Sequence, residues 1–456
     1  MYTYPKKNNF FPSLAYFKRV LIHVFSFFIK KNVILSIKIY IKLRTLFIFQ
    51  QKSRKDFVSV INTQDSTGGA SNMCFTLSES LREYLEVNLF VHQKQRNLPW
   101  VHQIPEIKAN FFTELIKEHA IKQGYIELSA FHSINLYGTP LFKYSRIIHL
   151  HNLHGEFFSP FLFNVLLKNK KVIWTLHDES FITGHCSCTL GCDRWKNSCG
   201  QCPNLSVYPP VVFDNTEKLS KIKRELIKQL NPVIVCPSFW LSERVNQVFP
   251  TLDFVRVIPN GVDLSIFKLQ DKFSSRRKIG LLKSKNIVLF VAEFSTKNPF
   301  KGGEIIRELI RDEKNQDILF ITVGGNDESE NFNHQVIPYI KNQYDLALLY
   351  SASDILVYPT RADNLPLVVL ESMACGTPVI ASKIGGIPEI ISHTEDGYLV
   401  EDYFDYKVFS SYIDAYFNSD EISKTTLTHN SNHKITEKFS KEKMVDRYKK
   451  LYEEFQ

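Results

Sequence analysis

Ala362-Asp363-Asn364-Leu365-Pro366-Leu367-Val368-Val369-Leu370-Glu371-Ser372-Met373-Ala374-Cys375-Gly376-Thr377-Pro378-Val379-Ile380 decides how the second half of this chain folds. Residues 354–358, just upstream, run apolar after Asp354 and read as a buried strand. Asn364 then suits an N-cap and Pro366 the first helical turn, where its missing N–H costs nothing. The helix is expected to run to Cys375 and stop at Gly376, with Pro378 opening the next strand. Strand, helix and strand in so short a space make a parallel βαβ unit. Its helix start faces the carboxyl ends of the strands, where such sheets bind ligands and where a diphosphate is favoured. Asp363 and Glu371, separated by seven residues, place one carboxylate at the helix mouth and one up to about 12 Å along it. Glu371 lies among Leu370, Met373 and Ala374, a poor place for an idle charge.

The same rhythm extends outward. Candidate strands stand at 287–292, 318–323, 355–358 and 378–381, after a polar stretch at 268–285. The first half carries strands at 57–63, 87–91, 146–150, 171–176, 233–236 and 254–258, with helices at 70–84 and 216–230. The expected fold is α/β, with two doubly wound, Rossmann-like domains facing each other across a cleft, joined near Asn260-Gly261-Val262-Asp263. The expected divisions are an extension at 1–55, a first domain at 56–265 with a Cys-rich insertion at 180–210, a second domain at 266–435, and a C-terminal helix at 436–456 packing back on the body.

Of the 456 residues, 44% are hydrophobic, and the formal net charge is +9. That charge is local: residues 1–55 hold twelve Lys or Arg and no acid, leaving 44 basic against 47 acidic residues elsewhere. The folded body is therefore no nucleic-acid-binding surface. The extension alternates Phe, Ile and Leu runs with Lys and Arg, too interrupted for a span of about 20 apolar residues. It reads as a segment lying on an anionic membrane surface at the cytoplasmic face, with a disordered tail or a signal peptide as rivals.

The stretch 362–380, followed by Gly385-Gly386-Ile387-Pro388-Glu389 and Asp396-Gly397-Tyr398-Leu399-Val400, resembles the retaining glycosyltransferases of family 4, of the two-domain GT-B type. Ile258-Pro259-Asn260-Gly261-Val262-Asp263, Lys301-Gly302-Gly303 and Gly68-Gly69-Ala70 extend the similarity over residues 56–456. By that resemblance Glu371 would hold the nucleotide ribose, Asp363 the donor sugar, and the main chain of Asn364 and Leu365 the diphosphate. Lys301 would neutralise that diphosphate as it leaves, and Gly68 and Gly69 would let the main chain approach it. Three positions depart from the pattern. Asp363 replaces a Glu, Glu293 stands near the usual Arg with Lys297 as the substitute charge, and Phe300 precedes Lys301.

His149, His151 and His154 follow one strand, and His177-Asp178 ends the next. The resemblance points to His177 beside the transferred sugar; His151 is a second candidate, and Asp178 would orient the imidazole or accept a proton. Five of the eight cysteines lie between Cys186 and Cys202. Cys186, Cys192, Cys199 and Cys202 have the thiolate count of a closed structural zinc site, with Cys188 or His185 as alternates and free thiols or disulfides as rivals.

The activity implied is retaining transfer of a sugar from a UDP- or GDP-sugar to a lipid-linked or oligosaccharide acceptor in surface polysaccharide synthesis. No Asp-x-Asp motif stands in a suitable loop, so no cofactor is expected for the chemistry. The rivals are a nucleotide-sugar epimerase or phosphorylase of the same architecture, and a non-catalytic sugar- or zinc-binding interaction protein.

Overall fold

The computed structural model describes residues 26–45, 54–252, 254–282, 286–326, 329 and 331–455. The first sheet contains β1 (Arg54–Gln64), β2 (Glu86–Gln93), β3 (Val101–Gln103), β4 (Ser145–Leu150), β5 (Lys171–Thr175), β6 (Val233–Cys236) and β7 (Val255–Val257), in the order β3-β2-β1-β4-β5-β6-β7. The second contains β8 (Asn286–Val291), β9 (Ile318–Val323), β10 (His334–Ile337), β11 (Ile355–Tyr358), β12 (Val379–Ser382) and β13 (Tyr398–Val400), in the order β10-β9-β8-β11-β12-β13. Every pairing in both sheets is parallel. Each sheet reverses its strand order once, between β1 and β4 and between β8 and β11. A crevice opens at the carboxyl ends of the strands at such a reversal.

The helices that matter for the site are α1 (Val33–Thr45), α2 (Gly69–Leu81), α3 (Phe111–Lys122), α4 (Thr216–Leu230), α5 (Phe239–Val248), α6 (Gly303–Arg311), α7 (Leu367–Ala374) and α8 (Lys441–Glu453). The short strands β3 and β10 escaped the sequence reading because His102, Gln103, His334 and Gln335 break their apolar runs, and β13 because it is only three residues long.

Two segments outside the expected first domain complete its core. α8 follows a β-bridge between Val262 and Ser440, and its Met444, Val445, Tyr448, Leu451 and Tyr452 are buried with Val58, Leu89 and Ile147. At the other end, Ile29, Val33, Ile37 and Ile41 recur every fourth residue and are buried, at most 4% exposed, against the residues under α3 and the turn at 126–129. The described part of the N-terminal extension is therefore part of the domain core. The rest of the surface-lying segment expected at 1–55 lies outside the described residues. Replacing Ile37, fully buried, with Ala is expected to cost about 2–5 kcal/mol, read as a lower midpoint in urea unfolding.

Candidate active site

Gly68 ends the loop after β1 with φ +82, and its missing Cβ would meet nothing within 4 Å, because it borders open space. Only glycine holds this conformation without strain, and the N-terminus of α2 follows it. Across the cleft, Lys301 leads into α6, while Asp363, Asn364 and Leu365 lead into α7. Both segments leave the strands that flank the reversal of the second sheet. One cavity of about 750 Å³ is lined by Gly68 and Gly69 from the first domain and by Lys301, Asp363, Leu365 and Glu371 from the second. His177 borders it and also a second cavity of about 1010 Å³, lined by Asp178, Tyr208, Trp240 and Phe294. Both are of the size that small-molecule sites occupy, about 300–1,000 Å³.

The loop before α7 is tied more tightly than the capping argument predicts. Asn364 is not the N-cap; Pro366 holds that place with no side-chain cap bond. Instead Asn364 Oδ1 accepts a 2.5 Å hydrogen bond from Ser238 Oγ of the first domain, and Asn260 Nδ2 donates to the Leu365 carbonyl at 2.9 Å. A Cβ on Gly385, where φ is +61, would stand 1.7 Å from the Asp363 carbonyl oxygen, so the Gly385-Gly386 turn must be glycine to press the loop into the cleft. Gly376 ends the α7 segment at φ +79, as its sequence position suggests.

Lys301 forms an ion pair with Asp363, which also accepts a 2.5 Å hydrogen bond from Tyr358 Oη. Burial alone would lower the Lys301 pKa, but Asp363 and Tyr358 outweigh it and raise the value, so the ammonium stays charged. Glu371 accepts from Tyr350 Oη at 3.2 Å, and burial pushes its carboxyl up to about 7. Glu293 is exposed and borders both cavities, and Lys297 borders the larger.

On the first-domain side, His151 Nδ1 and His177 Nε2 are 2.9 Å apart. Burial lowers the His177 pKa to about 4 and holds that of His151 well below its ordinary value, so both rings are neutral. Asp178 does not orient His177: its carboxylate bonds His154 Nε2 at 2.8 Å and the Ser180 N–H at 2.9 Å. Burial would raise the Asp178 pKa, but the His154 partner brings it down to about 2.

The Cys-rich loop is fixed by several contacts of its own, among them His185 Nε2 with Cys202 Sγ at 3.4 Å. Among the described residues, no group of three or more His, Cys, Asp or Glu side chains is placed to hold a metal ion. Cys186, Cys188, Cys192, Cys199 and Cys202 are all free thiols. Cys199 Sγ accepts from the Gly184 N–H at 3.2 Å, and His185 spends Nδ1 on the Pro209 carbonyl at 2.9 Å. Burial pushes the Cys186 and Cys188 thiols up to about 12. The loop is also held by Glu179. Its carboxylate accepts from the Thr189 N–H at 2.7 Å and pairs with Arg244 at 2.8 Å. Buried acids like this one are invisible in a pattern search for cysteines.

Glu389 does more than its place in the Gly385-Gly386-Ile387-Pro388-Glu389 stretch suggests. Its carboxylate, from the second domain, accepts from the N–H groups of Phe239 and Trp240 at 2.9 and 2.8 Å, capping α5 of the first. An anion at a helix N-terminus is stabilising, and here the bond spans the two domains. The helix-start pattern at Ser238 was the available signal, since a Ser N-cap leaves neighbouring N–H groups for a second acceptor.

Residues 271–434 match the Glycosyl transferases group 1 family. A putative colanic acid biosynthesis glycosyl transferase, WcaC of Escherichia coli K12, is 27% identical over 255 residues, 54% of this chain and 62% of that protein. The UDP-Gal:alpha-D-GlcNAc-diphosphoundecaprenol alpha-1,3-galactosyltransferase of Escherichia coli is 29% identical over 211 residues, 43% of this chain and 54% of that protein. Both alignments span less than two thirds of the relative's own length. Sucrose-phosphate synthase from Thermosynechococcus elongatus superposes with a TM-score of 0.61 at 19% identity, over 87% of this chain and 98% of that one. Anabaena HepE in complex with UDP-glucose superposes at 0.60 and 15% identity, over 87% and 99%. The chain thus has the GT-B architecture, two Rossmann-like domains about a cleft, with a group 1 glycosyltransferase domain in its second half.

Proposed function

We propose that this protein is a retaining glycosyltransferase of family 4 that moves a sugar from a UDP- or GDP-sugar to a lipid-linked saccharide in surface polysaccharide synthesis. One observation carries the reading: a lasting cation, Lys301, and the half-buried carboxyl of Glu371 share a cavity with the Gly68-Gly69 helix start of the opposite domain. Glu371 accepts from the ribose hydroxyls, while Lys301 and the main chain of Asn364 and Leu365 hold the diphosphate. As the bond from C1 to the phosphate oxygen breaks, negative charge grows on the leaving phosphate, and Lys301 stabilises it there. The acceptor oxygen bonds to C1 on the same face, and its proton passes to the leaving phosphate oxygen. This step requires no nucleophile from the protein. Names of relatives that mention colanic acid and a diphosphoundecaprenol acceptor favour the lipid-linked choice. The test is a panel of UDP- and GDP-sugars with lipid-linked acceptors: transfer with retained anomeric configuration is expected, and release of an epimerised free donor would overturn it.

The membrane part of the reading rests on α1. With one face in the core, the other exposes Leu35, Ile39 and Leu43, between 41% and 60%, beside exposed Lys38 and Lys42. Phe27 and Phe28 are exposed just before it, and the helix holds no acid. A face both apolar and basic suits the headgroup region of an anionic bilayer. No described helix is long and apolar enough to cross a membrane. α1 packs on the turns at 126–129 and 160–162, whose Glu127 and Pro160 line the small cavity under His154 and His177. A lipid-borne acceptor would therefore meet the cleft close to its own bilayer. Leu35→Ser, Ile39→Ser and Leu43→Ser together are expected to weaken binding to anionic phospholipid vesicles about 50-fold or more, at the level of one buried CH₂ group, about 0.8 kcal/mol, per apolar residue lost. The domain should stay folded, since the substituted face lies outside the core. Unchanged co-sedimentation with the vesicles would remove α1 as the contact.

A further inference from the structure

The geometry points to His151 as a positioning residue that fixes His177 in one tautomer, so that His177 presents an N–H from Nδ1 to a hydroxyl oxygen of the sugar bound in the cleft. The rate effect rests on the glycosyl-transfer reading; the tautomer does not. The two imidazoles share one hydrogen bond, between His151 Nδ1 and His177 Nε2, with their rings nearly parallel at 17°. Both rings are neutral, so the bond holds one proton and only two arrangements exist.

In one arrangement His177 donates from Nε2. His151 must then carry its own proton on Nε2, an atom that is fully buried and has no hydrogen-bond partner among the described residues. An orphaned buried N–H is the costlier kind of unsatisfied group, at about 1–3 kcal/mol. Beyond His151 in the core lies the ring of His149, at a centroid distance of 4.2 Å, and it has nothing to offer. His149 is spent on both sides, with Nδ1 2.5 Å from Tyr452 Oη and Nε2 2.8 Å from Thr175 Oγ1.

In the other arrangement His151 donates from Nδ1 and leaves only a lone pair at Nε2. His177 Nε2 accepts, and the His177 proton sits on Nδ1, which has no partner among the described protein groups. His177 borders both cavities of the cleft, so that open N–H is the group a ligand meets. The anchoring extends further back: Thr175 Oγ1 also bonds Tyr448 Oη at 2.8 Å, so two tyrosines of α8 hold the layer on which His151 rests. The His151 carbonyl, in turn, accepts from Trp174 Nε1 at 2.9 Å. The main chain of His151 and the layer beneath its ring are therefore held in place. An imidazole locked this way offers a donor without becoming a cation, which suits a sugar hydroxyl and not a phosphate.

The experiment uses the full chain labelled with ¹⁵N-histidine and reads the protonated nitrogen of His177 from two-bond ¹H–¹⁵N correlations. Wild type is expected to show Nδ1–H, and so is His151→Asn, whose side-chain amide places an N–H near the position of Nδ1. His151→Leu is expected to lose that preference, with kcat down about tenfold, the worth of one misoriented hydrogen bond, and donor binding little changed. His151→Asn should recover most of that rate. Nε2–H in wild type would overturn the inference, and because it needs no variant, a failure of His151→Leu to fold does not protect the claim. Nδ1–H persisting in a folded His151→Leu would overturn it equally. An Nδ1–H that depends on His151 in a protein with no transfer activity would uphold the tautomer assignment and reject the function.

Discussion

Glu371→Gln is expected to make the unliganded protein more stable at pH 8 while weakening donor binding about 100-fold or more. The carboxyl titrates near 7 because burial disfavours its charged form, well above its ordinary value of 4.5. The folded state therefore binds the proton more tightly than the unfolded chain does. The stability that Glu371 contributes is complete below about pH 4.5 and is lost as pH rises through about 7. Over that window the loss reaches at most about 3 kcal/mol, less to the extent that the carboxylate opens onto the cavity. Gln keeps the size and the Tyr350 hydrogen bond without the charge, so thermal unfolding at pH 8 should shift upward, and the gain should vanish near pH 4.5. Binding runs the other way. Two ribose hydroxyls donating to one carboxylate make charge-assisted bonds of about 1.5–3 kcal/mol each, and an amide can accept on only one side. The same chemistry predicts that wild-type donor affinity falls as pH drops below about 7, approaching tenfold per unit, since the protonated acid accepts poorly. A Gln variant that binds donor like wild type would contradict the ribose role, and one less stable at pH 8 would contradict the cost assigned to the charged carboxylate.

How far the sequence could take this is visible in particular residues. The strands at 233–236, 318–323 and 355–358 and the helix at 216–230 are bounded where their apolar runs and breakers place them. Buried parallel strands are continuous apolar runs, and such runs are legible. Glu371 was legible because a charge inside an apolar helix is conspicuous. Asn364 was misread because capping rules describe a helix alone, and here the side chain is claimed by Ser238 from another domain. The support of the cysteine loop is hidden from the sequence for a related reason. Spacing within one segment says nothing about the buried Glu179 and Arg244 that shape it from outside. The N-terminal segment was half legible: its basic and apolar mixture was plain, but the four-residue recurrence of Ile29, Val33, Ile37 and Ile41 that sinks it into the core was overlooked beneath the charge.

Lys301→Ala is expected to lower kcat about 100- to 1,000-fold, the worth of one preorganised group aimed at developing charge. In the unliganded protein Lys301 is not waiting in solvent; Asp363 and Tyr358 hold it, and their influence keeps it protonated at any ordinary pH. The fall in activity on the acid side of pH 7 therefore belongs to Glu371, and Lys301→Ala should leave that limb in place. For a diphosphate to use the ammonium, it must draw it from Asp363, so the carboxylate competes with the ligand for the same cation. Removing the competitor should then do what removing the cation cannot. Asp363→Asn is expected to tighten binding of the free nucleoside diphosphate about tenfold, the scale of one charged partner released, and to slow its release. Turnover should still fall, because the residue that holds the donor sugar has lost its charge. Lys301→Ala should weaken binding of the same nucleoside diphosphate. If the pair only braced the loop before α7, both substitutions would loosen it and both affinities would drop, so calorimetric titration of the two variants separates the readings. Opposite shifts assign Lys301 to the leaving group, with Asp363 as the group that holds it in reserve.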